Sequence, residues 1–227
     1  MLSFLEKTIM VTGHYGSGKT NLSVNLAIDL RKQGREVALI DLDIVNPYFR
    51  TADFKGLAEE WGIALYASPY ANSNAELPTA AARLGGTLGG KATVIVDVGG
   101  DDSGATALGG YARRISGMPY TMLYVINCYR YMTRSPEEAS GLMREIQGSS
   151  RLQVTHLVNN SHMSHLTTEL EVEESLVYAG EVSRQTGKPL AFTAVSRELT
   201  EQMRPGQGLL YPVDIYVNPP WHSHFQP

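Results

Sequence analysis

The sequence predicts a three-layer α/β fold, in which a mostly parallel central β-sheet carries helices on both faces. Short apolar runs alternate along the chain with segments of helical length and period. Parallel strands need long crossover connections, usually helices, so this alternation is typical of consecutive βα units. The chain has 227 residues, of which 43% are hydrophobic. That is enough for one sizeable core, and we expect a single domain over residues 1–227.

The strands are predicted at the apolar runs. In chain order, these runs are TIMVTG, EVALIDLD, IALYAS, ATVIVDVGG, TMLYVIN, LQVTHLVNN and LAFTAVS. The first helix is the clearest, because apolar residues recur at three- and four-residue spacing and RKQG then supplies a basic last turn and a glycine stop. Its apolar positions are Leu22, Val24, Leu26, Ala27 and Leu30. The stretches ASPYANSNAELP and YPVDIYVNPPWHSHFQP are predicted to be a surface loop and a tail.

Charge, cysteine content and hydropathy restrict the class of function. The formal net charge is −4 and no basic cluster is present, so we expect no direct nucleic-acid binding. Cys128 is the only cysteine, which excludes an internal disulfide and fits a reducing compartment. The N-terminus lacks the features of a signal peptide, and no window approaches the roughly 18 apolar residues of a membrane span. We therefore expect a cytoplasmic protein without membrane attachment.

The stretch GHYGSGKT has the chemistry of a phosphate-binding loop. It matches the pattern G-x-x-x-x-G-K-[ST], follows an apolar run and opens a helix, whereas a plain strand-to-helix turn would need neither Lys nor Thr. Glycine-rich backbone can turn its N–H groups towards phosphate oxygens, and the helix N-terminus adds a favourable dipole. We expect Lys19 to neutralise the terminal phosphates and Thr20 to ligate Mg²⁺. The predicted nucleotide-binding residues of this stretch are Gly13, His14, Tyr15, Gly16, Ser17, Gly18, Lys19, Thr20 and Asn21.

Two other strand ends carry carboxylates that suit phosphoryl transfer. Asp97 ends an apolar strand before glycines, the arrangement expected of a residue in the Mg²⁺ shell, and Gly100 would be the pivot of a loop that senses the γ-phosphate. Asp41 and Asp43 end the second strand on the same side, with Asp43 projecting beyond the strand. Asp43 is therefore predicted to orient an attacking water or to accept its proton. Taken alone, each carboxylate is equally well explained as a turn or helix-cap residue.

The run GSGKTNLSVNLAIDLRKQGREVALIDLD resembles the ParA/MinD family of deviant-Walker ATPases, within the SIMIBI class that includes nitrogenase iron protein and CobQ/CobB-like enzymes. DVGGD is similar to the switch segment of the iron-protein branch, and LVNNSH to a strand end where several members place an adenine-reading asparagine. The resemblance implies a P-loop NTPase fold with ATP and Mg²⁺ as ligands. The implied roles are water positioning by Asp43, metal contact by Asp97, switching by Asp101, and base reading by Asn160 with Asn159 beside it. Asp41 is also predicted to take part in the switch.

The chain departs from the family pattern at His14. The family has a second lysine directly after the first glycine of the loop, which in dimers reaches the partner's nucleotide. A histidine is shorter and usually neutral near pH 7, so it supplies no fixed positive charge there. The cysteines with which the iron-protein branch bridges a cluster are absent from their expected places, so we expect no iron–sulfur cluster. The C-terminal stretch has neither the basic face nor the helical period of a membrane-targeting helix.

The residues leave three functions open. The first is a nucleotide-switched ATPase, which hydrolyses ATP to ADP and phosphate and acts as a homodimer or on a protein partner. The second is an ATP-dependent small-molecule kinase or synthetase of the CobQ/dethiobiotin synthetase type, in which Asp43 and strand-end arginines such as Arg130 bind an acceptor. The third is a nucleotide-binding adaptor with little hydrolysis, suggested by the missing lysine. ATP is favoured over GTP, because the N-K-x-D string of guanine-reading relatives is absent.

Overall fold

The structure is a computed structural model that describes residues 2–42, 54–66, 83–99, 102–163, 166–203 and 208–216. Its strands are β1 (Thr8–Gly13), β2 (Val37–Leu42), β3 (Ala64–Tyr66), β4 (Thr93–Val98), β5 (Thr121–Ile126), β6 (His156–Asn159), β7 (Leu190–Ser196) and β8 (Leu210–Val213). Its helices are α1 (Lys19–Lys32), α2 (Lys55–Trp61), α3 (83–87), α4 (Asp102–Gly109), α5 (Ala112–Ile115), α6 (Pro136–Ser150), α7 (Glu169–Thr186) and α8 (Arg197–Gln202), with a 3₁₀ turn at Tyr131–Thr133. Asp43, Gly100 and Asp101, for which the sequence predicts functional roles, lie outside the described residues.

The described strands form one eight-stranded sheet in the order β3-β2-β4-β1-β5-β6-β7-β8. Every pairing in it is parallel. β1 lies between β4 and β5. β2, β3 and β4, which follow β1 in the chain, lie on one side of it, and β5 to β8 lie on the other side. Such a switch point opens a crevice beyond the carboxyl ends of the strands, where ligands bind in sheets of this kind. The predicted α/β fold is therefore confirmed.

Helices cover both faces of the sheet, and each face has its own apolar core. Ile9 and Val11 of β1 pack in one buried cluster with Leu22 and Leu26 of α1. Met10, between them in sequence, belongs to the opposite cluster, which contains residues of α4, α6 and α7. This alternation follows from the two-residue period of a strand, and it produces the three predicted layers.

The helix termini follow the local sequence. α1 begins directly after Gly18 and ends with two basic residues before Gly34, which has a positive φ of 82°. α6 begins with a capping box, in which Glu138 N donates to Ser135 Oγ at 3.2 Å and Ser135 N donates to Glu138 Oε2 at 3.0 Å. Pro136 occupies the first turn, where its missing N–H costs nothing. No helix within the described ranges is long and apolar enough to cross a membrane.

The prediction of a tail after residue 210 is wrong for the part of it that is described. β8 pairs in parallel with β7, and Tyr211 is buried there with its hydroxyl donating to Asp29 Oδ2 at 2.8 Å. Pro212 is compatible with this strand because β8 lies at the sheet edge. The chain then docks on α1, where Asn25 Oδ1 accepts from the backbone N–H of Asp214 at 2.8 Å. Residues 217–227 lie outside the described part of the chain.

Candidate nucleotide-binding site

The loop between β1 and α1 is shaped by glycines that no other residue could replace. Gly13 and Gly18 have φ values of 147° and 91°. A methyl group on Gly13 would overlap the carbonyl oxygen of Val125, and one on Gly18 would overlap the side-chain amide of Asn160. The loop is closed by a hydrogen bond of 3.1 Å from Ser17 N to His14 O. Backbone packed this closely is the cradle that the phosphate-loop prediction requires.

Lys19 and Thr20 form the first turn of α1, directly after the loop. Both side chains are buried. The Lys19 ammonium returns to the loop and donates to His14 O at 3.1 Å. A lysine on a flexible stem can exchange such a carbonyl for a phosphate oxygen, and the helix N-terminus adds backbone donors. The two residues are therefore brought to one place with the loop. Tyr15, by contrast, is 52% exposed.

Asp41 and Asp97 lie side by side on adjacent strands. They are direct partners in the parallel register of β2 and β4, and both are buried. Strand alternation puts them on the same face as Leu39 and Ile95, whose cluster includes the apolar residues of α1. The two carboxylates thus share the sheet face on which the helix of Thr20 packs. Carboxylate and hydroxyl oxygens are the donors that Mg²⁺ prefers, so this set of residues fits a magnesium ion.

The two asparagines after β6 have different surroundings. Asn159 is fully buried, donates to Ser175 Oγ at 2.9 Å and accepts from Ser161 Oγ at 2.7 Å. It therefore fastens α7 to the sheet. Asn160 turns the other way and donates from Nδ2 to Ser17 O at 2.7 Å. Of the two predicted base-reading residues, only Asn160 contacts the loop.

Asn21 holds the C-terminal segment against the start of α1. Its Nδ2 donates to Asp214 O at 3.1 Å, and its Oδ1 accepts from Tyr216 N at 2.9 Å. The nucleotide contact of Asn21 stays a prediction. In the structure, its amide connects the helix of the loop to the last described residues.

Two residues that were not predicted to contact the loop lie against it, although Arg130 was expected to bind an acceptor in the kinase or synthetase alternative. Arg130, from the turn after β5, approaches Gly16, and a methyl group there would lie 3.6 Å from Arg130 Nε. His162 Nε2 would lie 3.6 Å from a methyl group on Gly18. Arg130 had one signal in the sequence, its position after a strand of a parallel sheet. His162 had none, because a histidine three residues beyond a strand is compatible with many surface positions.

Burial and positive charge keep the histidines near the loop neutral. Burial lowers the pKa of His14, and the charges of Lys19 and Arg130 act in the same direction. Burial and the charge of Arg130 lower the pKa of His162 to about 4. Both imidazoles are therefore uncharged near pH 7. Within the described ranges, Lys19 and Arg130 place fixed positive charges beside the loop.

Three buried polar atoms around the loop have no hydrogen-bond partner among the described residues. They are His14 Nδ1, Ser17 Oγ and Arg130 Nε. Buried polar atoms are normally paired, and unpaired ones at a single site indicate a ligand or water that completes them. An oxygen-rich anion would suit a hydroxyl and a guanidinium N–H together. The residues present therefore fit a nucleotide phosphate.

Comparisons with known proteins agree with this geometry. The chain matches the family model described as the CobQ/CobB/MinD/ParA nucleotide binding domain over residues 9–174. No match was found among curated protein sequences. The solved structure of signal recognition particle receptor FtsY from Elizabethkingia anophelis is similar with a TM-score of 0.55 and 20% identity, covering 88% of this chain and 62% of that chain.

Two further solved structures have the same architecture. Cell division protein FtsY from Thermotoga maritima has a TM-score of 0.53 and 22% identity, covering 83% of this chain and 61% of that one. The signal recognition particle 54 kDa protein from Aeropyrum pernix, in complex with GDP, has a TM-score of 0.56 and 21% identity, covering 82% of this chain and 40% of that one. The chain spans less than two thirds of the length of these neighbours. At this identity the likeness shows the fold alone.

Proposed function

The chain belongs to the CobQ/CobB/MinD/ParA nucleotide-binding domain family, in the SIMIBI class of P-loop NTPases, and from this we propose that it is a Mg²⁺-dependent ATPase. In the proposed cycle, ATP binding and hydrolysis switch a homodimer or a complex with a protein partner in the cytoplasm. The eight strands share one sheet, which supports a single nucleotide-binding domain. The expectations of no nucleic-acid, membrane or iron–sulfur partner belong to the same proposal.

One observation carries the proposal. The Asp41–Asp97 pair of β2 and β4 lies on the sheet face covered by α1, the helix that begins with Lys19 and Thr20. Phosphoryl transfer depends on positioning and on stabilisation of charge, and it needs a cation, a metal shell and a phosphate cradle close together. A loop that served only as a structural turn would need neither the carboxylates nor the lysine.

The roles proposed for single residues follow from this arrangement. The loop from Gly13 to Gly18 cradles the phosphates with its N–H groups, and Lys19 neutralises the terminal phosphates. Thr20 and Asp97 would hold Mg²⁺, which supplies charge neutralisation at the transferring phosphoryl group. Beyond the described residues, Asp43 orients the water and Gly100 and Asp101 form the switch, as the sequence predicts.

Asn160 and Asn159 have different roles in this proposal. One N–H of Asn160 Nδ2 donates to Ser17 O. The second N–H and the side-chain carbonyl oxygen are the groups with which Asn160 would contact a base. The amide of Asn159 is used in the packing of α7, and it supports base reading only by fixing the strand end. The preference for ATP over GTP rests on the sequence, which has no Asn-Lys pair for an N-K-x-D string. The GDP found in one structural neighbour belongs to that protein.

A small-molecule kinase or synthetase is the second candidate, because the matching family model includes CobQ and CobB as well as MinD and ParA. In that case the site would hold an acceptor beside the nucleotide. Release of ADP by the wild-type chain separates the two candidates when it is measured with and without cell metabolites and with and without cell proteins. Stimulation by a protein fraction supports the switch. Stimulation by the small-molecule fraction alone contradicts it.

The same assay tests the adaptor hypothesis. Single-turnover hydrolysis by the wild-type chain and by His14→Lys is compared at saturating ATP. A neutral His14 supplies no charge in trans, and the proposed function requires that the wild type hydrolyses ATP without the substitution. If hydrolysis occurs only after His14→Lys, the wild-type chain is an adaptor and the proposed ATPase activity is wrong.

A further inference from the structure

Arg130 places a permanent positive charge against the loop at Gly16. A methyl group built on Gly16 would lie 3.6 Å from Arg130 Nε and 3.9 Å from Cζ. Within the described residues, Arg130 takes part in none of the salt bridges, and its buried Nε has no acceptor. A guanidinium presents five N–H donors and stays protonated in proteins. A charged donor group therefore lies at the loop without an anion from the described chain.

The turn that carries Arg130 is held by Asn127. Asn127 O accepts from Arg130 N at 3.1 Å and from Thr133 Oγ1 at 2.8 Å. Asn127 Oδ1 accepts from Tyr129 N at 3.0 Å. Both the side chain and the carbonyl of one fully buried residue therefore define the path of this turn. A charge held in a fixed position is better suited to a bound ligand than one on an unrestrained side chain.

The surroundings of Arg130 favour an anionic ligand. The charge of Arg130 acts on His14 and His162, and the Lys19 ammonium lies at the same loop. Both imidazoles have lowered pKa values, and Arg130 contributes to each shift. Because Lys19 also carries a positive charge at the loop, the protein brings two cations to one loop, beside histidines that are neutral. Like charges near each other are unfavourable unless an anion lies with them. A phosphate chain in the loop would supply that anion.

We propose that Arg130 binds the phosphate chain of the nucleotide held in the loop of its own chain. It thereby supplies in cis a positive charge that His14 does not provide. The proposal rests on the proposed function only in taking a nucleoside triphosphate as the ligand. It assigns a phosphate contact to a residue outside the G-x-x-x-x-G-K-[ST] stretch, in the turn that follows β5. A guanidinium recognises phosphate oxygens with paired, charge-assisted hydrogen bonds.

Equilibrium binding of ATP with Mg²⁺ at fixed ionic strength tests the proposal. Arg130→Gln removes the charge and is expected to weaken binding roughly 10- to 100-fold, the usual loss for one charge-assisted hydrogen bond. Arg134→Gln is the matched control, because Arg134 lies on the same segment and its guanidinium is exposed, 6.0 Å from the Tyr131 ring. The control is expected to stay within about twofold of the wild type.

Salt dependence provides a second readout. Loss of one charge pair makes ATP affinity less sensitive to ionic strength, so Arg130→Gln should show a shallower decrease with added NaCl than the wild type. If Arg130→Gln does not fold, Arg130→Lys replaces it and is compared with Arg134→Lys. Because lysine keeps the charge but loses the paired donors, the Arg130→Lys affinity should be roughly threefold to tenfold weaker.

The outcomes separate this proposal from the proposed function. If the wild-type chain binds neither ATP nor GTP, both are overturned. If the wild type binds ATP and Arg130→Gln binds it equally well, with the same salt dependence, only the role of Arg130 is overturned. A loss of ATP affinity in Arg130→Gln that the Arg134→Gln control does not show supports it.

Discussion

Asn160 joins the end of β6 to the phosphate loop by donating from its side-chain Nδ2 to Ser17 O at 2.7 Å. The amide lies where a methyl group on Gly18 would have to be. The loop is therefore supported from the side by a residue 143 positions further along the chain. This contact makes the shape of the loop depend on the sheet, before any nucleotide is bound.

Asn160→Asp tests this support. The substitution keeps the size of the side chain but replaces the donor with an oxygen, which leaves Ser17 O unpaired beside a negative charge. We expect the free energy of unfolding to decrease by about 1–3 kcal/mol, measured by urea unfolding without nucleotide. Gln153→Glu makes the same chemical change at an exposed position and should stay within roughly 0.5 kcal/mol. An unchanged stability in Asn160→Asp would leave Asn160 with a base-reading role only.

His162 makes stability depend on pH on the acid side. Its pKa is lowered from 6.5 to about 4 in the folded chain, chiefly by burial and also by Arg130. As pH falls, the unfolded chain takes up this proton first, so the free energy of unfolding decreases between about pH 6.5 and pH 4. Below that range no further loss comes from this group. The total is at most roughly 3 kcal/mol.

Two variants isolate this titration. In that pH range, the unfolded chain binds up to about one proton more than the folded chain because of His162. His162→Gln should remove this difference in bound protons, and with it the corresponding slope of the unfolding free energy against pH. Arg130→Gln should raise the His162 pKa, because it removes the positive charge that opposes protonation. NMR titration of the His162 ring measures both. A His162 pKa near 6.5 in the wild type would contradict the prediction.

The C-terminal segment is expected to depend more on Asn25 than on the ion pair beside it. Asn25 exchanges two hydrogen bonds of 2.8 Å with the backbone of Asp214 and is buried. Arg197 contacts the same aspartate with two bonds of 2.8 Å, but its side chain is 45% exposed. We expect Asn25→Ala to cost about 2–4 kcal/mol and Arg197→Ala about 0–1 kcal/mol. Equal costs in urea unfolding would show that the buried amide has no special role.

The sequence predicted the layers and most strands, and the reason it missed β8 is physical. LYPV contains a proline, and it is followed by polar residues that elsewhere indicate a turn. Tyr211 in it contacts Asp29, 182 residues earlier in the chain, and the residue that follows it, Asp214, is held by Asn21 and Asn25. Local pattern contains no information about such a contact. An edge strand that pairs on one side can also accept residues that a central strand cannot.

The loop could be recognised from the sequence because its motif is local, whereas the residues that surround it could not. Gly13 to Thr20 are consecutive, so one pattern contains the glycines, the lysine and the threonine. Adjacent Asn159 and Asn160 were indistinguishable in sequence, yet one packs against α7 and the other supports the loop. Arg130 lies beside Gly16 only because β5 is next to β1 in the sheet, and a single sequence does not give the strand order.

Asp43 lies outside the described residues, and its catalytic role remains a prediction from the sequence. Asp43→Asn removes the carboxylate that would orient or deprotonate the water, and keeps its size. We expect ATP affinity within about threefold of the wild type and hydrolysis reduced by roughly 10²- to 10⁴-fold. Asp29→Asn is the control, because Asp29 lies on α1 and contacts Lys32 and Tyr211. Undiminished single-turnover hydrolysis in Asp43→Asn would remove Asp43 from the catalytic step.

Hydrolysis of ATP by the wild-type chain and by Lys19→Ala, with GTP as competitor, is the most direct test of the proposed function. Lys19 is buried at the loop, where its ammonium donates to His14 O. Its loss removes the positive charge from the first turn of α1, because the other basic residues of this helix lie in its last turn. Lys32→Ala, at the other end of α1 and exposed, is the control. The proposed function requires Mg²⁺-dependent release of phosphate from ATP that excess GTP does not suppress, that Lys32→Ala retains and that Lys19→Ala loses. Preferential hydrolysis of GTP, or undiminished ATP hydrolysis in Lys19→Ala, would contradict it.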